Sequence, residues 1–125
     1  MHQLNINEES ADRWANFFKV LSDETRLRIL MLLSQKELCV CEMCQILNLS
    51  QPKISRHLAK MRDLNLIRYQ KEGQWTFYYL SIGDPLFSGI IQQLVVNSQS
   101  HPVICKDMEK LIEKERSGKL CERIK

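Results

Sequence analysis

Apolar residues in the first quarter of the chain recur with the period of an α-helix. The spacing i, i+3, i+4, i+7 predicts an amphipathic helix over residues 8–21 and is formed by Trp14, Phe17, Phe18 and Leu21. Ser22 then has the character of an N-cap, and Asp23 and Glu24 suit the positive end of a second helix. That helix is apolar on much of its circumference, through Leu27, Ile29, Leu30, Leu32 and Leu33. We expect it at the centre of the core.

Two shorter helices follow, separated by three residues. The first covers residues 41–47 and is interrupted at residues 48–50. Ser50 is the expected cap of the next helix, because Pro52 fits a first turn, where its missing N–H costs nothing. This helix should end near Asn65, with one apolar and one basic face. The apolar face carries Ile54, Leu58 and Met61, and the other carries Lys53, His57 and Lys60.

The period then changes from helical to extended. Residues 66–71 and 74–80 are β-prone runs joined around Glu72 and Gly73, which predicts a hairpin with a basic strand leading into its tip. An apolar helix is predicted over residues 86–96. The charged segment from residue 101 to 125 is expected to hold a further, loosely held helix around residues 103–116. We therefore divide the chain into a main domain, residues 1–98, and a charged C-terminal tail, residues 99–125.

Helix, three-residue turn, second helix and basic hairpin together predict a winged helix-turn-helix, a mainly α fold with a β-hairpin wing (α+β). Residues 51–75 carry six basic side chains and two acidic ones, a net charge of +4, whereas the whole chain is only +3. This local charge favours contact with DNA phosphate. The second helix can enter the major groove. Its polar residues are expected to be exposed: Gln51, Lys53, Ser55, Arg56, His57 and Lys60.

We divide the candidate DNA contacts by chemistry. Base-edge contacts are expected from Gln51, Ser55 and His57, since amide and similar polar side chains can bond to base edges. Backbone contacts are expected from Arg56, Lys60, Lys71 and Gln74. The apolar stripes Trp14/Phe17/Phe18 and Ile90/Ile91/Leu94 need burial, which self-association into a homodimer could provide.

Composition narrows the class of protein. With 125 residues, 44% hydrophobic and 26% charged, the chain suits one globular domain. No apolar run approaches the roughly 20 residues of a membrane span. Residues 1–5 lack a basic region leading into an apolar stretch, so we expect no signal peptide and a cytoplasmic protein. Without a glycine-rich phosphate loop or nucleophile elbow, we expect neither an enzyme nor a catalytic cofactor.

Three of the five cysteines, Cys39, Cys41 and Cys44, lie within six residues. An odd number of cysteines in a cytoplasmic protein argues against a disulfide framework. Arsenite and antimonite take three thiolates in a pyramid, whereas zinc prefers four ligands. At about 100° per residue, Cys41 and Cys44 share a helix face, but Cys39 and Cys41 are about 160° apart. Either Cys39 precedes the helix, or binding unwinds its first turn and misplaces the DNA-reading helix.

Residues 22–30 and 49–58 resemble the arsenical-resistance (ArsR/SmtB) family of metal-responsive repressors. The segment Glu37–Cys44 is similar to the arsenite-binding signature ELCVCxxC of its arsenic-sensing branch. The resemblance covers about residues 12–83. It implies a homodimer joined through the first and last helices, residues 8–21 and 86–96. It also implies a repressor that binds a dyad-symmetric operator in the apo form and is released by arsenite or antimonite. The zinc site of some members, built from Asp and His in the last helix, has no counterpart in residues 86–96.

Two other regulatory readings use the same cysteines. Oxidation to a disulfide could distort the same helix and make the protein a redox-responsive repressor. A cadmium or lead sensor could recruit Cys105 or Cys121 as a further ligand. Neither tail cysteine is otherwise expected to have a role. A thiol oxidoreductase is disfavoured because no βαβ pattern surrounds Cys41-Glu42-Met43-Cys44.

Overall fold

The computed structural model describes residues 7–118, so the predictions on residues 1–5 and on Cys121 lie outside it. Within this range the chain forms six α-helices and three strands, with one short 3-10 turn at Ser98–Ser100. In chain order they are α1 (Asn7–Leu21), α2 (Glu24–Leu33), β1 (Leu38–Cys39), α3 (Val40–Leu47), α4 (Gln51–Asp63), β2 (Ile67–Glu72), β3 (Trp75–Leu80), α5 (Pro85–Val96) and α6 (Pro102–Ser117). The predicted mainly α fold with a hairpin wing is confirmed.

Helix α2 is the centre of the core, as its apolar circumference predicted. Its last five residues, from Ile29 to Leu33, are all buried. It contacts α1, α4, α5, α6 and β3. The cap differs from the prediction: Asp23, not Ser22, is the N-cap, and its carboxylate accepts the Arg26 N–H at 3.0 Å. Ser22 Oγ instead donates to the carbonyl of Lys19 near the end of α1.

The sheet has three antiparallel strands in the order β1-β3-β2. Strands β2 and β3 form the predicted hairpin, with Gly73 at a φ of +64° in the turn. A left-handed first turn residue matches the twist of a tight hairpin and favours glycine. The third strand, β1, was not predicted; it sets Leu38 opposite Tyr78 and Cys39 opposite Phe77.

Helices α1 and α5 pack together through aromatic rings. Phe17 stacks on Phe87 with ring centroids 4.0 Å apart, and Arg13 pairs with the α5 cap residue Asp84. The predicted apolar stripes are therefore partly buried within the chain itself, since Phe17 and Ile91 belong to the core. Trp14 and Phe18 remain about half exposed.

Helix α6 is an integral part of the core. Ile104 and Leu111 are buried in the same apolar cluster as α2, α3 and α4. His101 caps the helix through Nδ1, which accepts the Ile104 N–H at 3.3 Å. The expectation that this helix is loosely held is wrong. Charged residues dominate its composition, but its buried apolar residues lie on one face, and that face packs on the core. No helix within residues 7–118 is long and apolar enough to cross a membrane.

Candidate DNA interface and cysteine sensor

Helix α4 has the caps and the buried face expected of a recognition helix. Ser50 is its N-cap and its hydroxyl accepts the Lys53 N–H at 3.4 Å, with Pro52 in the first turn. Both predictions are confirmed. Ile54, Leu58 and Met61 are fully buried. Burial of this face leaves the opposite side of α4 for an external partner.

The polar residues of α4 are less uniformly exposed than predicted. Gln51, Arg56 and Lys60 are exposed, whereas three others are half-buried, namely Lys53, Ser55 and His57. Gln51 Nε2 donates to Ser55 Oγ at 2.7 Å, so these two candidates for base contact hold each other in place. Their paired hydrogen-bonding groups lie near the start of α4, next to the free N–H groups at the helix N-terminus.

His57 is turned partly toward the start of α2. Burial lowers the pKa of the imidazole. The positive charges of Arg26, Arg56 and Lys53 lower this pKa further, whereas the negative charge of Asp23 raises it. The neutral form is therefore favoured at neutral pH. His57 can act there as a hydrogen-bonding group rather than as a fixed positive charge.

The wing has the predicted basic strand leading into its tip. Lys71 is exposed and pairs with Thr76 across the hairpin, and Gln74 is exposed in the turn. The structure also brings in Arg62, which was absent from the sequence-based set. Its guanidinium lies 5.1 Å from the ring centroid of Tyr69, so it bridges the end of α4 and strand β2. The sequence signal for Arg62 was its positive charge in the last turn of α4. Its contact with the Tyr69 ring could be seen only in the folded chain.

Cys39 lies outside the α3 helix, in strand β1 and at the N-cap position. Its backbone is extended, with φ −88° and ψ 167°, and the residue is buried. Of the two alternatives raised by helix geometry, the structure therefore has the one in which Cys39 precedes the helix. Because Cys39 pairs with Phe77, a displacement of the Cys39 backbone would also displace wing strand β3.

Glu42 is a further residue of this segment that sequence reasoning did not single out. It is completely buried, and its Oε1 accepts the Cys39 N–H at 3.0 Å. A carboxylate three residues after the cap residue is the signature of a capping box, which the sequence does contain. This bond fixes the backbone of Cys39 at the start of α3.

The other two cysteines lie on α3. Cys44 is a half-buried free thiol packed against the core, and Cys41 is exposed. Cys41 is disulfide-bonded, whereas Cys39, Cys44 and Cys105 are free thiols. The sequence argued only against a disulfide framework, and the disulfide of Cys41 was not predicted. Only the reduced form of Cys41 can supply a thiolate.

The three cysteines do not form a preassembled site. Among residues 7–118, no three His, Cys, Asp or Glu side chains are close enough to hold a metal ion together. Burial raises the pKa of the Cys39 thiol and that of the Cys44 thiol, so both are protonated at neutral pH. Three sulfurs suit a thiophilic centre chemically, but the disulfide of Cys41 must be opened before all three can take part.

A recognition helix preceded by a supporting helix and followed by a basic wing defines the class: a winged helix-turn-helix regulatory protein. The sequence model described as "Bacterial regulatory protein, arsR family" matches residues 23–69. The arsenical resistance operon repressor of Staphylococcus aureus is 34% identical over 96 residues, which cover 76% of this chain and 90% of that protein. The chain belongs to the arsR family, whose members are DNA-binding transcription regulators and not enzymes.

Two further relatives frame the comparison. The arsenical resistance operon repressor of Escherichia coli (strain K12) is 52% identical over 75 residues, which cover 59% of this chain and 64% of that protein. The match thus spans less than two thirds of that relative's length. Among solved structures, reduced HlyU from Vibrio cholerae superposes with a TM-score of 0.64 at 35% identity, covering 73% of this chain and 94% of that one.

Proposed function

We propose that this protein is a cytoplasmic, homodimeric transcriptional repressor that binds operator DNA in the apo form and leaves it on binding arsenite or antimonite. The observation that carries the proposal is the position of the cysteine segment. Cys39 lies in a strand bonded to the wing, and Cys44 lies on the helix that packs on recognition helix α4. The names of the relatives in Escherichia coli and Staphylococcus aureus, arsenical resistance operon repressors, support the inducer.

The DNA-facing residues follow from the exposed side of α4 and the wing tip. Gln51, Ser55 and His57 are the proposed base-reading residues. The proposed backbone contacts are Lys53, Arg56, Lys60, Lys71 and Gln74, to which we add Arg62. Phosphate contacts of this kind supply sequence-independent affinity and orient the protein on the duplex.

In the proposed switch, the contacts of the apo protein and the bound metalloid favour different positions of Cys39. In the apo protein its backbone is held by strand pairing and by Glu42. A trivalent metalloid would be held by the sulfurs of Cys39, Cys41 and Cys44. The coupling arises because ligand binding and the DNA-binding geometry then favour different positions of the same residue.

A redox-responsive repressor is the second candidate, and the disulfide of Cys41 is the observation that favours it. Oxidation and metalloid binding would then use one of the same sulfurs. Peroxide titration separates the two, since release by peroxide that dithiothreitol reverses would assign the response to oxidation.

The test of the proposed function is a titration of the reduced protein–DNA complex, followed by fluorescence anisotropy. Arsenite should dissociate the complex, at concentrations where zinc and peroxide do not. Release by zinc or peroxide alone would contradict the proposal.

Proton release should separate arsenite from cadmium. Arsenious acid and three protonated thiols give three As–S bonds and three waters, with no net proton. Cadmium ion instead displaces a proton from each protonated thiol that it binds. Because the thiols of Cys39 and Cys44 are protonated at neutral pH, cadmium affinity should rise with pH while arsenite affinity stays flat. Calorimetry in two buffers of different ionisation enthalpy measures the number of protons released by each ligand. Substantial proton release with arsenite would contradict the three-thiol site.

Dimerisation is expected through the exposed aromatic rings of α1. Trp14 and Phe18 are 50% and 48% exposed and lie one turn apart on the same face. The double variant Trp14→Glu/Phe18→Glu should be monomeric by sedimentation at micromolar concentration and should bind a dyad-symmetric duplex more weakly. Ile112→Glu, at an equally exposed apolar site on α6, is the control and should remain dimeric. A double variant that still sediments as a dimer would rule out this interface.

A further inference from the structure

One face of α6 carries a partly buried ion pair to α2. The Asp107 carboxylate is almost fully buried and receives two hydrogen bonds from Arg28, Nε to Oδ2 at 2.8 Å and Nη2 to Oδ1 at 2.9 Å. The bidentate bond raises the pKa of Arg28 further above its ordinary value. Such a pair fixes the direction of the guanidinium, because both ends of its planar fork are engaged.

The same guanidinium continues to the end of α3. Arg28 Nη2 also donates to the carbonyl of Leu47 at 3.1 Å, and Lys110 Nζ donates to the carbonyl of Ile46 at 3.0 Å. The last carbonyls of a helix have no partners within it and carry partial negative charge. Two cations therefore cap α3: Arg28, which is held by Asp107 of α6, and Lys110, which belongs to α6.

These caps lie at the entrance to the helix-turn-helix turn. Leu47 is the last residue of α3, and Asn48 follows in a left-handed conformation with φ +58° and ψ +48°. Helix α4 begins at Gln51. The path of the chain between the two helices thus starts from carbonyls whose position is set by Arg28 and Lys110.

We propose that α6 is part of the DNA-reading unit, with Arg28, Asp107 and Lys110 as positioning residues that set the direction of α4. The inference rests on the proposed DNA-binding function and adds a role for a helix beyond residues 23–69. Helix α4 has 13 residues, which is about 20 Å of helix. His57, the last of the proposed base-reading residues, lies about 9 Å along the axis from Gln51, so a rotation of about 10° at the start of α4 would shift it by about 1.5 Å, more than a base-edge hydrogen bond tolerates.

The apolar contacts of α6 need no such role. Ile104 and Leu111 cover the core whether or not the polar bonds exist. The polar clamp can therefore be tested without disturbing them. Lys110→Met removes the cap on Ile46 at an exposed position. Lys106→Met, in the same helix, makes the same charge change at an exposed residue with no bonded partner among residues 7–118, and it is the matched control.

The probe is the duplex that the wild-type chain selects from a random library, compared with a scrambled duplex of equal length and composition. Lys110→Met should lower the ratio of the two affinities about fivefold, the low end of the cost of one lost base contact. Asp107→Asn should lower it more. The salt dependence should not change, since no phosphate contact is lost. Lys106→Met should leave the ratio unchanged. A purely structural role would reduce the active fraction and weaken both duplexes equally.

Amide hydrogen exchange at residues 48–53 provides a measurement without DNA. Lys110→Met should accelerate exchange there and leave the β2–β3 hairpin unaffected. Unchanged exchange at the turn, or an unchanged affinity ratio, overturns the proposal, even if Asp107→Asn does not fold. The arsenite response of the wild type is read separately. Its absence would overturn the proposed metalloid function and leave the role of α6 standing.

Discussion

Cys39→Ser should abolish the release of DNA by arsenite while leaving apo DNA binding intact. Serine is a preferred N-cap residue, and the extended backbone of Cys39 at the start of α3 suits it. Serine is a poor ligand for a thiophilic centre, so the strand–helix junction would no longer be pulled apart. The wild-type ratio of operator affinities without and with arsenite should be about 5 to 150. In the variant this ratio should be close to one.

The other cysteines should rank by what they contribute to the distortion. Cys41→Ser should also abolish release, because serine is a poor ligand for a thiophilic centre at this position as well. Cys44→Ser should weaken release less, since Cys41 and Cys44 share a face and joining them moves the backbone little. Cys105→Ser, at a free thiol on α6, is the control and should respond as the wild type does.

The measurement is fluorescence anisotropy of a labelled operator under reducing conditions, which also open the disulfide of Cys41. Cys121→Ser is likewise expected to change nothing in these conditions. An arsenite response that survives Cys39→Ser would contradict the proposed switch, as would one that disappears with Cys121→Ser.

Arg56→Glu should weaken binding to every duplex and flatten its dependence on salt. Arg56 is exposed on α4, and each lost phosphate contact removes about one unit of log–log slope. A dimer loses two such contacts. If the affinities converge at about 1 M salt, the loss at roughly 0.15 M is about thirtyfold. Repulsion by the new carboxylate adds to it.

The control for Arg56→Glu is Lys106→Glu, which makes the same charge change on α6. It should alter binding only through the long-range field, with little change in slope. Gln51→Ala should instead change sequence preference, because it removes the amide proposed to read base edges and also the partner of Ser55. Binding of Arg56→Glu with an unaltered salt slope would show that α4 is not the DNA-reading helix.

Much of this molecule could be predicted from local signals. The helical period identified α1, α2 and α4, because a helix that buries one face must repeat apolar residues at that interval. Ser50 with Pro52 marked the start of α4, since cap chemistry depends on residues only a few positions apart. Gly73 marked the hairpin turn for the same reason. The cysteine cluster was visible as a cluster, and thiolate chemistry follows from residue type alone.

Tertiary structure decided the features that depend on residues distant in sequence. Strand β1 has two residues, too few to show alternation, and exists only because β3 supplies its hydrogen-bonding partner. His57 is half-buried because α2 begins beside it. Helix α6 looked like a charged tail, but Asp107 and Lys110 find partners 79 and 64 residues away, in Arg28 and Ile46. A charge pattern along one segment cannot distinguish a side chain facing water from one bonded to a distant helix, because only the packing of the whole chain determines which partner is near.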